Sequence, residues 1–79
     1  MSAKASIERF ILDELLVGSR ASIGPDESLI TSGVIDSLAL LRLIGFIEEQ
    51  FGVVVEDDEV VPENFESINV MTELVASKR

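Results

Sequence analysis

Between Asp36 and Gly52 the chain reads "DSLALLRLIGFIEEQFG", and within it Leu40, Leu43, Ile44, Ile47 and Phe51 recur three and four residues apart. At ~100° per residue those five fall in one stripe, so the spacing predicts an amphipathic helix over about Ser37 to Phe51, roughly 20 Å long. Asp36 has the side chain of an N-cap, and Gly52 sits where a left-handed stop belongs. A stripe of this width has to be covered by other elements.

Those elements are legible on both sides. From Ser2, residues Ile7, Phe10, Ile11 and Leu15 recur at helical spacing while Glu8, Arg9 and Asp13 fall elsewhere, which predicts a first helix ending near Val17 or Gly18. The next stretch, "GSRASIGPDESLITSGVID", is rich in Gly, Ser and Pro and reads as a long loop with one short turn, pinned to the core by Leu29, Ile30, Val34 and Ile35. Loops of this length are uncommon in a small domain, and that points to function. Val53, Val54 and Val55 are β-branched but have no second strand to pair with, so extended chain followed by short helical turns is expected. Pro62 opens a turn through "PENF", and Ser67 caps a last helix with Ile68, Met71 and Val75 on one face. The expected architecture is all-α, a single domain over residues 1–79, in the order long helix, long loop, long helix, short helix, helix. There is no internal repeat.

Composition narrows the functions open to such a domain. A chain of 79 residues buries only about 60% of the surface its unfolded form exposes, so its stability margin is thin. Fifteen acidic side chains against six basic ones give a net charge of −9, which leaves no basic stripe for nucleic acid or an anionic membrane and favours basic protein partners. With neither Cys nor His, the usual nucleophile, general base and metal ligands are missing. Glu56, Asp57, Asp58 and Glu59 lack the alternating ligands and central Gly of a calcium loop, so no metal site is expected. The N-terminus is unlike a signal peptide and the longest apolar run is "LIGFI", so a cytoplasmic location without membrane insertion is expected.

On the predicted second helix, Leu38, Leu41, Arg42, Gly45 and Glu49 lie opposite the core stripe, and two leucines are thereby left outside. They stand within a turn of Asp36 and Ser37. With Asp36 as the cap, Ser37 is the first helical residue and its hydroxyl points at solvent. A phosphodiester on that hydroxyl would lie at the positive end of the helix dipole, beside unpaired N–H groups. Phe46, Phe51 and Phe65 read as core residues, and Arg20 and Arg42 as solvated ones.

Asp-Ser-Leu at the start of a second helix resembles the acyl and peptidyl carrier proteins. The three residues alone are common, but "SLITSGVIDSLALLRLIGFIEEQFGVVV" is similar to that family's loop and second helix, and "PENFESI" to its third-to-fourth helix segment. The resemblance implies an antiparallel four-helix bundle, three longer helices plus one short, with 4′-phosphopantetheine placed on Ser37 by a phosphopantetheinyl transferase using coenzyme A. It implies a carrier and not an enzyme: the arm ends in a thiol that holds acyl or aminoacyl groups as thioesters, giving a Cys-free chain a nucleophilic sulfur. Asp36 would cap the helix and assist the transferase. Leu38, Leu41, Arg42, Gly45, Glu48 and Glu49 would dock that transferase, the loading enzyme and downstream transferases or synthases, with the carrier acting as a monomer. Phe65 and Ile68 would border the arm or its cargo.

Carriers of bacterial fatty acid synthesis usually bear acidic residues on this face, where the chain has Ala39 and Arg42, and a bulky apolar residue where it has Gly45. The departure favours a secondary-metabolite or aminoacyl pathway over housekeeping fatty acid synthesis. The alternative reading is an unmodified acidic helical module that binds a basic protein through Leu38 and Leu41.

Overall fold

In the computed structural model, which describes residues 2–16 and 22–78, Ser2 opens the first helix by accepting the Ala5 N–H at 3.1 Å. Helix α1 runs Ala3–Phe10 and continues as a π-helical turn, Ile11–Leu15, closed by the Leu16 N–H on the Ile11 carbonyl at 2.8 Å. The expected end near Val17 or Gly18 lies outside the described residues. Ile7 and Ile11 are fully buried, while Phe10 and Leu15 are half-buried at the margins of the stripe.

Helix α2 spans Ser37–Phe51. Asp36 caps it, its carboxylate accepting the Ala39 N–H at 2.8 Å, and Gly52 ends it at φ 66°, a conformation that favours glycine. Leu43 and Ile47 form the centre of its buried stripe, with Leu40, Ile44 and Phe51 half-buried on either side. Beyond Gly52 the chain is extended, so side chains alternate: Val53 and Val55 are buried and Val54 is 65% exposed. No strand forms among the described residues. Instead Glu48 reaches past the helix end to accept the Val55 N–H at 2.9 Å.

A 3₁₀ turn, Asp57–Glu59, leads into the four-residue α3, Pro62–Phe65, with Pro62 in the first turn where its missing N–H costs nothing. Ser67 then accepts the Val70 N–H at 3.2 Å and starts α4, Ile68–Ser77, whose buried face is Ile68, Met71 and Val75. Lys78 pairs with Glu59 and ties the end of α4 to the 3₁₀ turn; that hydrogen bond holds the Glu59 carboxyl below its usual range.

The result is an all-helical bundle in which α1 packs chiefly on α4 and more lightly on α2, while α3 lies against α4. One apolar cluster joins the four helices and includes Ile23, Leu29 and Ile35 from the long connection. Among its described residues that connection contains two turns where the sequence suggested one. The Glu27 N–H closes on the Gly24 carbonyl at 3.1 Å, and the Gly33 N–H on Ile30 at 3.0 Å with Gly33 at φ 84°.

The phenylalanines divide differently from expectation. Phe65 is fully buried, but Phe46 and Phe51 are only half-buried and share a surface cluster with Phe10. The Phe10 and Phe46 rings stack at 4.3 Å, and Phe51 meets Phe46 edge-on at 6.2 Å. On the helix wheel Phe46 stands between the core stripe and the solvent face, so it packs at the margin of the core with its ring on Phe10 of α1. Phe65 and Ile68, expected to border the arm, are sealed in the core at 0% and 1% exposure.

Candidate functional site

The site is assembled at the N-terminus of α2. Asp36 has extended backbone, and its side chain is committed to the Ala39 N–H, which leaves Ser37 as the first helical residue with an exposed hydroxyl. The Leu40 N–H is the first to bond inside the helix, on the Asp36 carbonyl at 2.8 Å. The N–H groups of Ser37 and Leu38 precede that ladder, so the serine stands at the electropositive end of a 15-residue helix. A phosphodiester on an exposed hydroxyl here meets favourable charge and open space, and the residues fit such a group.

Leu38 and Leu41 flank the serine at 74% and 63% exposure, among the most exposed large apolar residues of the fold. The other residues expected on this face divide. Gly45 is exposed, and a Cβ built there meets nothing within 4 Å, so the face is smooth at that point. Glu49 is exposed. Arg42, expected to be solvated, leans back to α1: it reaches the Glu14 carboxylate at 3.5 Å and its carbonyl at 3.4 Å. Both side chains are more than half exposed, so this pair adds little stability. Glu48 is half-buried and accepts the Val55 N–H at 2.9 Å, which makes it a support for the helix end.

One residue bound to the loop before Ser37 was not legible in the sequence. Glu66, between α3 and α4, accepts four hydrogen bonds from the loop that leads to Ser37. Its Oε2 takes the Ser28 hydroxyl at 2.6 Å, the Ile30 N–H at 3.0 Å and the Thr31 N–H at 3.1 Å, and its Oε1 takes the Thr31 hydroxyl at 2.7 Å. Ser28, then the hydroxyl and N–H of Thr31, hold its carboxyl down from 4.5 to about 2, with desolvation opposing them. The value is depressed, so the charged clamp contributes fully above pH ~4.5, and the contribution is lost as pH falls toward about 2. A carboxyl titration by NMR is expected to put the Glu66 midpoint near 2, and to move it up toward 4.5 in Ser28→Ala/Thr31→Val. A wild-type midpoint at 4.5 would contradict the geometry.

A groove of about 450 Å³ runs between α1 and α2 over the Phe10–Phe46 stack, rimmed by Arg9, Asp13, Glu14 and Gln50. On α2 it begins at Phe46, about 13 Å along the axis from Ser37 at 1.5 Å per residue, and it is separate from the serine. Among the described residues no acidic cluster is arranged to hold a metal, and no helix is long and apolar enough to cross a membrane.

A family model described as the phosphopantetheine attachment site matches residues 7–75, almost the whole chain. The chain belongs to the acyl carrier protein family. It is 31% identical to an acyl carrier protein of Desulforapulum autotrophicum over 78 residues, 99% of each chain. It is 37% identical to one of Nitratidesulfovibrio vulgaris over 59 residues, covering 75% of this chain and 76% of that one. Among solved structures, a chain in a crystal structure described as that of an FAD-dependent dehydrogenase superposes with a TM-score of 0.80. Its identity is 30%, with 87% of this carrier and 97% of that chain covered.

The family decides between the two functional readings. Its members are carriers rather than catalysts, and their cofactor is covalently bound 4′-phosphopantetheine. They work with a phosphopantetheinyl transferase and with acyl-handling enzymes. When attached, the arm supplies a thiol on which an acyl group rides as a thioester.

Proposed function

We propose that Ser37 carries the arm and that residues 1–79 act as one monomeric, cytoplasmic carrier domain. The observation that carries this reading is the exposed Ser37 hydroxyl at the first position of α2, beside two exposed leucines. Asp36 fixes the start of the helix and thereby the place of the hydroxyl, so its share in modification is positional. Leu38 and Leu41 give the transferase and later enzymes an apolar grip, with Glu49 and the smooth surface at Gly45 beside it. The test is direct: apo protein, coenzyme A and a broad-specificity transferase should yield a mass gain of one phosphopantetheinyl group, with peptide mapping placing it on Ser37. A well-folded protein of unchanged mass would refute the reading.

Leu38→Ala removes a surface contact and no core volume, so its melting temperature should match the wild type, while kcat/KM for modification falls about tenfold. Substantial unfolding would contradict the exposure of Leu38, and an unchanged rate would remove it from the docking surface.

For the pathway we favour a secondary-metabolite or aminoacyl type. Ala39, Arg42 and Gly45 support it, since they leave the docking face poor in acid and bulk around the leucines. The likeness to a chain of this carrier's own size in the dehydrogenase structure supports a flavin-dependent dehydrogenase as one class of partner acting on the carried group. Holo protein offered to adenylating and to acyl-transferring enzymes should be loaded by the former; exclusive loading by malonyl-transferring enzymes would overturn the choice.

A further inference from the structure

Among its described residues, 22–36, the loop that delivers Ser37 holds turns but no helix, and a flexible approach would leave the serine and its neighbours in many arrangements. Glu8 of α1 accepts the Ile23 N–H at 3.1 Å near the start of this stretch, and the part nearer the serine is held by residues around the start of α4. The Glu66 side chain takes the four hydrogen bonds described above, and its backbone carbonyl accepts the Leu29 N–H at 2.8 Å. Three residues on, the Asn69 N–H donates to the Pro25 carbonyl at 3.0 Å and its Nδ2–H to Asp26 at 2.8 Å. From the clamped stretch the constraint passes directly to the site. Leu29 is fully buried, its carbonyl accepts the Ile35 N–H at 2.9 Å, and the equally buried Ile35 immediately precedes the Asp36 cap.

We propose that Glu66 is a positioning residue for modification of the carrier, holding the loop before Ser37 in the one arrangement the phosphopantetheinyl transferase recognises. The inference rests on the reading of Ser37 as the attachment point. A carboxylate suits the task because it only accepts, on two oxygens with about four lone-pair sites, and the loop presents two hydroxyls and two N–H groups converging on it. Fixing Ser28 to Thr31 removes conformations in which Ile35 and Asp36 leave their places. Without the clamp the competent arrangement becomes one of several, and the apparent affinity of the transferase falls in proportion to its population.

The effect should therefore appear in KM for the carrier and not in kcat. With coenzyme A saturating, Glu66→Ala is expected to raise that KM about tenfold while kcat stays within about twofold. Glu66→Gln should restore KM to within about twofold of wild type. Its single oxygen replaces Oε2 for the Ser28 hydroxyl and the two N–H groups, and its NH₂ donates to the Thr31 hydroxyl oxygen. A role confined to stability would lower the melting temperature of Glu66→Ala and leave the KM of the folded protein unchanged; that result would overturn the proposal, as would failure of Glu66→Gln to restore it. Should Glu66→Ala not fold, Ser28→Ala/Thr31→Val carries the test, with a raised KM supporting the proposal and an unchanged KM defeating it. Wild-type protein that takes no arm would instead defeat the reading of Ser37, and modification of wild type and Glu66→Ala with equal KM would defeat only the role of Glu66.

Discussion

Ser37→Ala is expected to fold like the wild type and to take up no phosphopantetheinyl group from coenzyme A at any transferase concentration. Folding survives because the serine is not the cap: Asp36 holds the Ala39 N–H, and Ser37 contributes an exposed hydroxyl at the first helical position. Alanine is the better helix former, and a solvent-facing change of this kind stays within about 0.5 kcal/mol. On the proposed reading attachment is abolished, because the Ser37 hydroxyl is the nucleophile that displaces 3′,5′-ADP from coenzyme A as the phosphodiester forms. Far-UV circular dichroism and intact mass decide the matter together. A variant that keeps its helicity and still gains the mass would place the arm on another hydroxyl, with nearby Ser32 the first to examine.

Phe65→Ala should do the reverse, leaving every atom of the attachment site in the chain while removing the fold that presents it. Phe65 is completely buried and sits in a helix of only four residues, which has little stability of its own. Truncating a buried phenylalanine costs about 3–5 kcal/mol, against a total of about 5–15 kcal/mol for domains in general and the lower part of that range for one this small. At about 4–8 °C per kcal/mol, the melting temperature falls by roughly 15–30 °C. The loss is expected to be global, because α3 rests on α4 and α4 is the main support of α1. A melt within about 3 °C of wild type would mean that α3 detaches by itself and that the core closes over the gap.

The contrast between these two variants follows how the fold is written in the chain. Signals confined to a few neighbouring residues were readable: the Asp36 cap, the Gly52 stop, the turn opened by Pro62, the Ser67 cap, and the stripe centred on Leu43 and Ile47. The exposure of Leu38 and Leu41 followed from the same periodicity. What depended on distant partners was not readable. Glu66 looks like one more solvated acid before a cap, yet its partners lie 35 to 38 residues earlier, and no local spacing announces such pairing. Glu48 misled for a related reason. Its wheel position lies at the edge of the core stripe beside Ile44, and its side chain reaches the Val55 N–H beyond the helix end. Phe46 occupied a boundary position, where the ring of Phe10 on α1 determined its surroundings.

The long reach of Glu66 also sets an order of events during synthesis. Ser37 leaves the ribosome well before the carboxylate that secures the loop ahead of it, since Glu66 follows Ser37 by 29 residues. At about 5–20 residues per second the interval lasts a few seconds. During it the loop has the Glu8 tie at Ile23 but not the Glu66 clamp, so on the role proposed for Glu66 the nascent chain is the weaker substrate until that carboxylate emerges. On that proposal the transferase favours chains whose loop is already clamped, and coenzyme A goes preferentially to folded carriers.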